Sequence, residues 1–165
     1  MHPPVLIFES RLMPQQIADQ LTQTVSTWRL RLQELSHDLV RDKPSADRWS
    51  IAEVVGHLVD SACNNHQRFI RAQFLPALTF PRYEQNEWVA AAAWQTMDWQ
   101  TIVNLWASYN LMLAHVMRQI PDEQLSTRCT ITPYEACDLR FLVTDYLDHL
   151  RHHLQKIDER LAAAE

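Results

Sequence analysis

The chain has 165 residues, enough for one domain with its own hydrophobic core, and 47% of them are apolar. Its one glycine argues against Rossmann, P-loop and all-β folds, since these use several glycines in phosphate-binding loops or turns. The net charge of −5 and the scattered arginines and lysines argue against a protein that binds nucleic-acid backbones.

The N-terminal stretch and the cysteines indicate a cellular compartment. The sequence has no basic-then-apolar leader and no apolar run of about 18 residues, so we expect no association with a membrane. Cys63, Cys129 and Cys137 are odd in number and form no C-x-x-C motif, which is not typical of a disulfide framework or a zinc ribbon. We therefore expect a cytoplasmic protein.

The first half of the chain contains two predicted helices. Residues 1–12 are interrupted by prolines, and we predict an extended N-terminal arm there. Helix one is predicted over about residues 14–41 from apolar residues that recur every three or four positions: Ile17, Leu21, Val25, Trp28, Leu32 and Leu35. Helix two is predicted to begin after Ser50, which forms a capping box with Glu53, and to end near Leu75; its apolar stripe contains Ile51, Val55, Leu58, Ala62 and Phe69.

The second half begins with a long connection, residues 76–97, in which we expect a short helix and residues that cover a pocket. Helix three is predicted over about residues 98–120, from the spacing of Ile102, Leu105, Trp106, Tyr109, Leu113 and Val116. A polar connection leads to Asp138, the predicted N-cap of helix four, which spans about residues 139–161 with an apolar stripe of Leu139, Val143, Tyr146, Leu147, Leu150, Leu154 and Ile157. With no strand signal, the pattern predicts an all-α protein, one antiparallel four-helix bundle with a long connection between helices two and three.

Gly56, the only glycine, falls inside helix two. Glycine in a helix interior costs roughly 1 kcal/mol relative to alanine, so the position needs a reason. Two reasons are open at this point. Either a neighbouring helix approaches the backbone closely, or the missing side chain leaves space beside His57.

Histidines are the candidate ligands of a metal site. His149 and His153 lie four residues apart, so both project from one side of helix four at the border of its apolar stripe, whereas His152 points to the far side. By itself, the pair is more typical of interfacial histidines that hydrogen-bond to neighbours than of metal ligands. On helix two, His66 lies within the apolar stripe and His57 roughly 130° from its centre, so periodicity favours His66 either as a third ligand or as a core histidine.

Two motifs indicate a family. Residues 49–60 (WSIAEVVGHLVD) and residues 149–157 (HLRHHLQKI), with YEQNEW at residues 83–88 between them, resemble the DinB/YfiT-like superfamily of metal-binding four-helix bundles. The resemblance implies that His57 from helix two and His149 and His153 from helix four hold a divalent metal, zinc or nickel. Where the family often has an arginine in helix three near the pocket, this chain has Asn110.

The resemblance implies a metal-dependent enzyme that acts on a small molecule and activates a thiol or water. Its relatives include transferases that use bacillithiol, mycothiol or glutathione, and metal-dependent hydrolases, so a low-molecular-weight thiol is a candidate cofactor. The alternative is a non-catalytic ligand-binding or oligomerisation bundle. The six tryptophans and the apolar-rich connection favour a homodimer. Asp60 and Asp145 are expected to be solvated helix surface rather than partners of the ligand histidines.

Overall fold

The computed structural model describes residues 12–163, so most of the predicted N-terminal arm lies outside the described residues. Six helices form the bulk of this part: α1 (Pro14–Gln33), α2 (His37–Arg41), α3 (Ile51–Ala72), α4 (Gln85–Ala92), α5 (Trp99–Gln119) and α6 (Leu139–Ala162). The four long helices α1, α3, α5 and α6 pack around one core, which confirms the predicted all-α four-helix bundle. None of the helices in residues 12–163 is both long enough and apolar enough to cross a membrane.

The long helices begin where the capping residues predicted. Ser50 accepts a hydrogen bond from the Glu53 amide while the Glu53 carboxylate accepts one from the Ser50 amide, so the capping box is formed. Asp138 accepts from the Phe141 amide at the start of α6 in the same way. These caps satisfy backbone amides that have no partner inside the helix, which fixes the first residue of each helix.

The predicted first helix is divided into two. The α1 helix ends at Gln33, and α2 begins at His37, where the Ser36 hydroxyl accepts a hydrogen bond from the Leu39 amide. The prediction of one helix over residues 14–41 was therefore wrong at this point, because Ser36 starts a new helix in a different direction instead of continuing the first.

Helices α1 and α5 are antiparallel neighbours. The indole nitrogen of Trp99, at the start of α5, donates to the Leu32 carbonyl near the end of α1. At the opposite end, Arg118 of α5 forms an ion pair of 2.8 Å with Asp19 of α1. The two helices therefore run in opposite directions along their length.

Helices α3 and α5 run in the same direction, because the connection over residues 73–98 leads back along the bundle. The predicted antiparallel arrangement therefore does not hold for this pair of helices. The Ser50 hydroxyl, at the start of α3, donates to Gln95, just before α5, over 2.5 Å. Further along both helices, the His66 ring contacts the Tyr109 hydroxyl. The length of the connection is explained by this return, and it carries α4 as the sequence predicted.

Three short strands that the sequence pattern did not reveal join the two long connections. β1 (Ala77–Pro81) pairs in parallel with β2 (Arg128–Thr132), which pairs antiparallel with β3 (Cys137–Asp138). Alternation in β2, where Cys129 and Ile131 are buried, was the available local signal. The sheet ties the segment after α3 to the segment before α6.

One predicted core position is exposed. Leu105 of α5 was assigned to the apolar stripe, but 40% of its surface is accessible, whereas Trp106 beside it is fully buried. The stripe of α5 is therefore narrower than the spacing of its apolar residues indicated.

Candidate metal centre

The imidazoles of His57, His149 and His153 converge between α3 and α6. The Nε2 atom of His149 lies 3.3 Å from Nε2 of His57 and 3.2 Å from Nε2 of His153. His57 is only 1% exposed, and the other two are half-buried. The structure thus brings together the three residues that the family resemblance indicated, and within residues 12–163 they form the one group of three or more metal-ligating side chains.

The distances between the ring nitrogens fit a common ion better than a hydrogen-bonded cluster. Two ligands at about 2.05 Å from a tetrahedral zinc ion are separated by roughly 3.3 Å, which matches both observed separations. A neutral imidazole has one acceptor nitrogen with one in-plane lone pair, so His149 cannot accept well from both neighbours at once. The donor set, three imidazoles without a carboxylate, is one that zinc or nickel accepts and that leaves a position open.

The three imidazoles are held in the form that binds metals. Burial is the main cause that lowers the pKa of His57 to about 3, and the neighbouring His153 and His149 lower it further. Burial, followed by the charges of His149 and His152, lowers the pKa of His153 to about 4. The pKa of His149 is also lowered by burial. All three rings are therefore neutral near pH 7, with lone pairs free to bind a cation.

The ring of His57 lacks the partner that ligand histidines usually have. Its Nδ1 atom is buried and makes no hydrogen bond within the described part of the chain. Metal-ligating histidines generally donate this second N–H to a carboxylate or carbonyl. The cluster therefore depends on packing, including the Trp49 ring 4.9 Å from the His57 ring, to orient its most buried member.

His57 is buried because α3 is covered on two sides, which the helical wheel did not anticipate. Besides its apolar stripe, α3 carries a second row of side chains that are all at most 9% exposed, here called the buried polar stripe: His57, Asp60, Ser61, Asn64, Asn65 and Arg68. Spacings of three and four residues align them along one face. The periodicity argument favoured His66, but that ring is half-buried and lies 3.3 Å from the Tyr109 hydroxyl, outside the cluster.

Asp60 is a buried member of this stripe, so its assignment to the solvated surface was wrong. It is 6% exposed and accepts a hydrogen bond of 3.0 Å from the indole N–H of Trp94. Burial raises the pKa of its carboxyl to about 6, although the hydrogen bond from Trp94 opposes the shift. Asp145 is exposed, as expected.

Gly56 is required by the same tryptophan. A Cβ atom at Gly56 would lie 2.2 Å from Cγ of Trp94, far inside ordinary contact distance. The close approach predicted from the glycine exists, but the neighbour is a side chain of the long connection and not another helix. Ala93, directly before Trp94, has a φ of 54°, a left-handed conformation that turns the chain so that the indole enters the core.

The long connection lies over the histidine cluster. The Tyr83 ring is 6.2 Å from the His57 ring, and burial raises the pKa of the Tyr83 phenol to about 12. Two cavities lie nearby: one of about 650 Å³ is lined by residues that include Tyr83, Gln85 and Asp145, and one of about 850 Å³ by residues that include Trp49, Gln85 and His153 of the cluster. The larger cavity therefore reaches the cluster at His153, and the smaller one lies next to it, with Gln85 as a shared wall.

Asn110 is part of the core and not of either cavity. It is fully buried, donates to the Trp106 carbonyl and accepts from the Tyr146 hydroxyl over 2.5 Å. The position at which the family resemblance led us to expect an arginine is therefore occupied by a buried structural amide.

Comparisons with known proteins agree with this architecture. The protein is similar in structure to YfiT from Bacillus subtilis, described as a probable metal-dependent hydrolase with an unusual four-helix bundle topology, at a TM-score of 0.81 and 17% identity over 98% of this chain and 94% of that one. It is also similar to the DinB-like protein YjoA from Bacillus subtilis (TM-score 0.63, 14% identity, 90% and 91% of the two chains). The mycothiol-dependent maleylpyruvate isomerase matches at a TM-score of 0.64 and 13% identity, over 86% of this chain and 58% of that one.

Sequence comparison assigns the family. No curated protein matches the chain in a sequence search. The model of the DinB superfamily matches residues 20–157, which include all three histidines of the cluster and both motifs around them. The chain belongs to the DinB superfamily.

Proposed function

We propose that this protein is a divalent-metal-dependent enzyme in which His57, His149 and His153 hold zinc or nickel and a thiol or water is activated. The observation that carries the proposal is the convergence of three neutral imidazoles, with Nε2 atoms 3.2 and 3.3 Å apart, at a cavity that His153 lines. A bound ion of this kind lowers the pKa of the water or thiol in its open position. The descriptions of two structural relatives, one as a probable metal-dependent hydrolase and one as a mycothiol-dependent isomerase, support this reaction class.

We favour a thiol over water because two adjoining cavities lie near the cluster: His153 lines the larger one, and Tyr83, whose ring is 6.2 Å from the His57 ring, lines the smaller one. A transfer reaction needs separate places for the thiol and for the electrophile, whereas hydrolysis needs one place for a substrate. In the transfer, the thiol loses its proton to solvent, sulfur forms a bond to the electrophilic carbon, and the leaving group departs with the bonding electrons. The volumes of about 650 and 850 Å³ suit small-molecule substrates.

The chain's own aromatic residues define the surroundings of the reacting groups. Tyr83 stays protonated at neutral pH because burial raises its pKa to about 12, so its hydroxyl is a hydrogen-bond donor next to the cluster. Trp49 covers the other side of His57. Excluding water from this space strengthens the interactions of the metal ligands and limits competing hydrolysis.

Metal analysis tests the site. We expect purified protein to bind about one zinc or nickel ion per chain and the double variant His149→Ala, His153→Ala to bind none. The double variant His66→Ala, His152→Ala is the matched control, because it removes two histidines outside the cluster and should keep the metal. Full metal content in the cluster variant would refute the proposed ligands.

A second measurement separates an enzyme from a binding bundle. Metal-loaded protein is assayed for transfer of glutathione to 1-chloro-2,4-dinitrobenzene and for hydrolysis of p-nitrophenyl acetate, with metal-free protein as control. Thiol transfer that disappears with the metal supports the proposal. A bound metal without turnover would favour the alternative, a ligand-binding or oligomerisation bundle.

The homodimer and the cytoplasmic location stay predictions. Light scattering measures the mass of the protein in solution and so tests the homodimer.

A further inference from the structure

Arg68 is the buried cation of the buried polar stripe. It is 9% exposed, and its Nε atom is buried without a hydrogen-bond partner in residues 12–163. Its one side-chain hydrogen bond, from Nη1 to Asn65, is long at 3.3 Å, and it forms no ion pair within the described residues. Burying a guanidinium without a counterion lowers the stability of the fold, so we expect a negatively charged partner from outside the chain.

The guanidinium borders a space that can hold such a partner. Arg68 lines the cavity of about 650 Å³ together with Tyr83, the residue that lies over the histidine cluster. The Phe80 ring lies 5.5 Å from the guanidinium carbon and supports it from the sheet. The cavity therefore extends from the cation to Tyr83, whose ring lies 6.2 Å from the His57 ring.

Other charges at this cavity do not neutralise Arg68. Arg82 is paired with Glu84 at 2.6 Å, so the two cancel each other at the rim. The charge of Asp145 opposes the lowering of the Arg68 pKa by burial, but this carboxylate forms no ion pair with the guanidinium in the described residues, and Asp145 and Glu135 are both exposed to water, which screens them. The most buried charge of the cavity is thus positive.

Helix geometry sets the length of the ligand. Arg68 follows His57 by eleven residues on the same face of α3, which is about three turns, or roughly 16 Å along the axis. Because long side chains on a helix lean towards its N-terminus, the guanidinium is on the order of 10 Å from the cluster. An extended molecule of about three residues covers such a distance.

From these contacts we propose that Arg68 anchors a carboxylate of an elongated substrate or thiol cofactor whose other end reaches the histidine cluster. The ligand class rests on the proposed function, since it is the metal that gives the far end its role. The anion site itself does not need the metal. A planar guanidinium holds a carboxylate through two parallel hydrogen bonds, which gives this contact both strength and orientation.

The first experiment probes the anion site in metal-free protein. The side-chain Nε–H signals of the arginines are followed by NMR during titration with glutarate, and with glutaramide as the neutral control; the variant Arg68→Lys identifies the Arg68 signal. We expect glutarate, and not glutaramide, to shift the Arg68 signal to saturation and to leave the exposed Arg71 unaffected. An Arg68 signal that moves no more than that of Arg71 overturns the proposal.

The second experiment connects the anion site to the cluster. In cobalt-substituted protein, the sulfur-to-cobalt absorption band reports binding of glutathione or of its diethyl ester, in which both carboxylates are blocked. We expect glutathione to bind about ten- to a hundredfold more tightly than the ester, since a hydrogen bond to a charged group contributes on that scale. The preference should fall below about threefold in Arg68→Met and persist in Arg71→Met, the matched control on the same helix.

The outcomes distinguish this inference from the proposed function. If no cobalt binds while glutarate still shifts the Arg68 signal, the metal site is wrong and the anion site stands. If cobalt binds and both thiols bind equally well, the anion site is wrong and the metal site stands. The melting temperature of Arg68→Met should equal or exceed that of the wild type, because a buried, unpaired charge is removed. A markedly lower melting temperature would assign Arg68 a structural role instead.

Discussion

Replacing Gly56 with alanine tests whether Trp94 determines the packing beside the histidine cluster. The new Cβ would lie 2.2, 2.4 and 2.6 Å from three atoms of the Trp94 ring, whereas carbon atoms in contact are about 3.5–4.0 Å apart. The ring must therefore move by at least about 1 Å. Such a shift also breaks the hydrogen bond of 3.0 Å that Trp94 donates to Asp60.

Three contributions determine how much Gly56→Ala changes the free energy of unfolding. Overpacking a core costs about 1–3 kcal/mol, and losing a buried hydrogen bond to a carboxylate costs about 1.5–3 kcal/mol. Alanine in a helix interior is more favourable than glycine by about 1 kcal/mol, which offsets part of this loss. We expect Gly56→Ala to lower the stability by about 1.5–5 kcal/mol in urea unfolding of metal-free protein, followed by circular dichroism.

The same substitution in a Trp94→Ala protein shows whether the clash with the Trp94 ring causes the destabilisation. In Trp94→Ala, the ring that clashes with the new Cβ is absent, so Gly56→Ala should change sign and stabilise the protein by about 0.5–1 kcal/mol through helix propensity alone. Two results would refute the reasoning: a Gly56→Ala protein as stable as the wild type, or an equal destabilisation in both backgrounds.

Two further substitutions probe the buried polar groups. The pKa of Asp60 is about 6 in the folded protein and 3.8 for the free side chain. Protonation of this carboxyl therefore favours folding: its contribution to stability is complete below about pH 4 and is lost as the pH rises through 6. Asp60→Asn should remove this loss and be more stable than the wild type by up to about 3 kcal/mol at pH 7, with no difference below pH 4, in urea unfolding of metal-free protein; equal stability at pH 7 contradicts it. Asn110→Ala leaves the Tyr146 hydroxyl without its acceptor and should cost about 2–3 kcal/mol. A double-mutant cycle with Tyr146→Phe should show that the two losses are not additive, and additive losses would count against the hydrogen bond.

Local patterns in the sequence were sufficient to predict most of the helices and to pair two of the three histidines of the candidate site. Capping at Ser50 and Asp138 depends on residues within one turn, which is why these helix starts could be predicted. The separation of His149 and His153 from His152 also follows from the 3.6-residue repeat of one helix. The break at Ser36 shows the limit, because the apolar spacing continues through a point where the chain changes direction.

The small sheet and the surroundings of Gly56 and Asp60 depended on contacts between distant parts of the chain. The strands β1 and β2 are about 50 residues apart in sequence, and neither forms without its partner. Trp94 determines the environment of Gly56 and Asp60 from 34 residues beyond Asp60. Neither contact leaves a periodic trace in the sequence.

His57, the third histidine of the cluster, shows most clearly what local sequence patterns determined and what depended on the tertiary structure. By itself, the sequence determined a four-helix bundle and a pair of histidines on α6, because hydrophobic periodicity and spacing are local properties. Periodicity alone favoured His66 and the family resemblance indicated His57; the tertiary structure supplies the physical reason why the His57 ring is buried in the cluster, since the long connection returns over α3 and buries a second, polar face of that helix. A helical wheel assumes one buried side, and α3 has two.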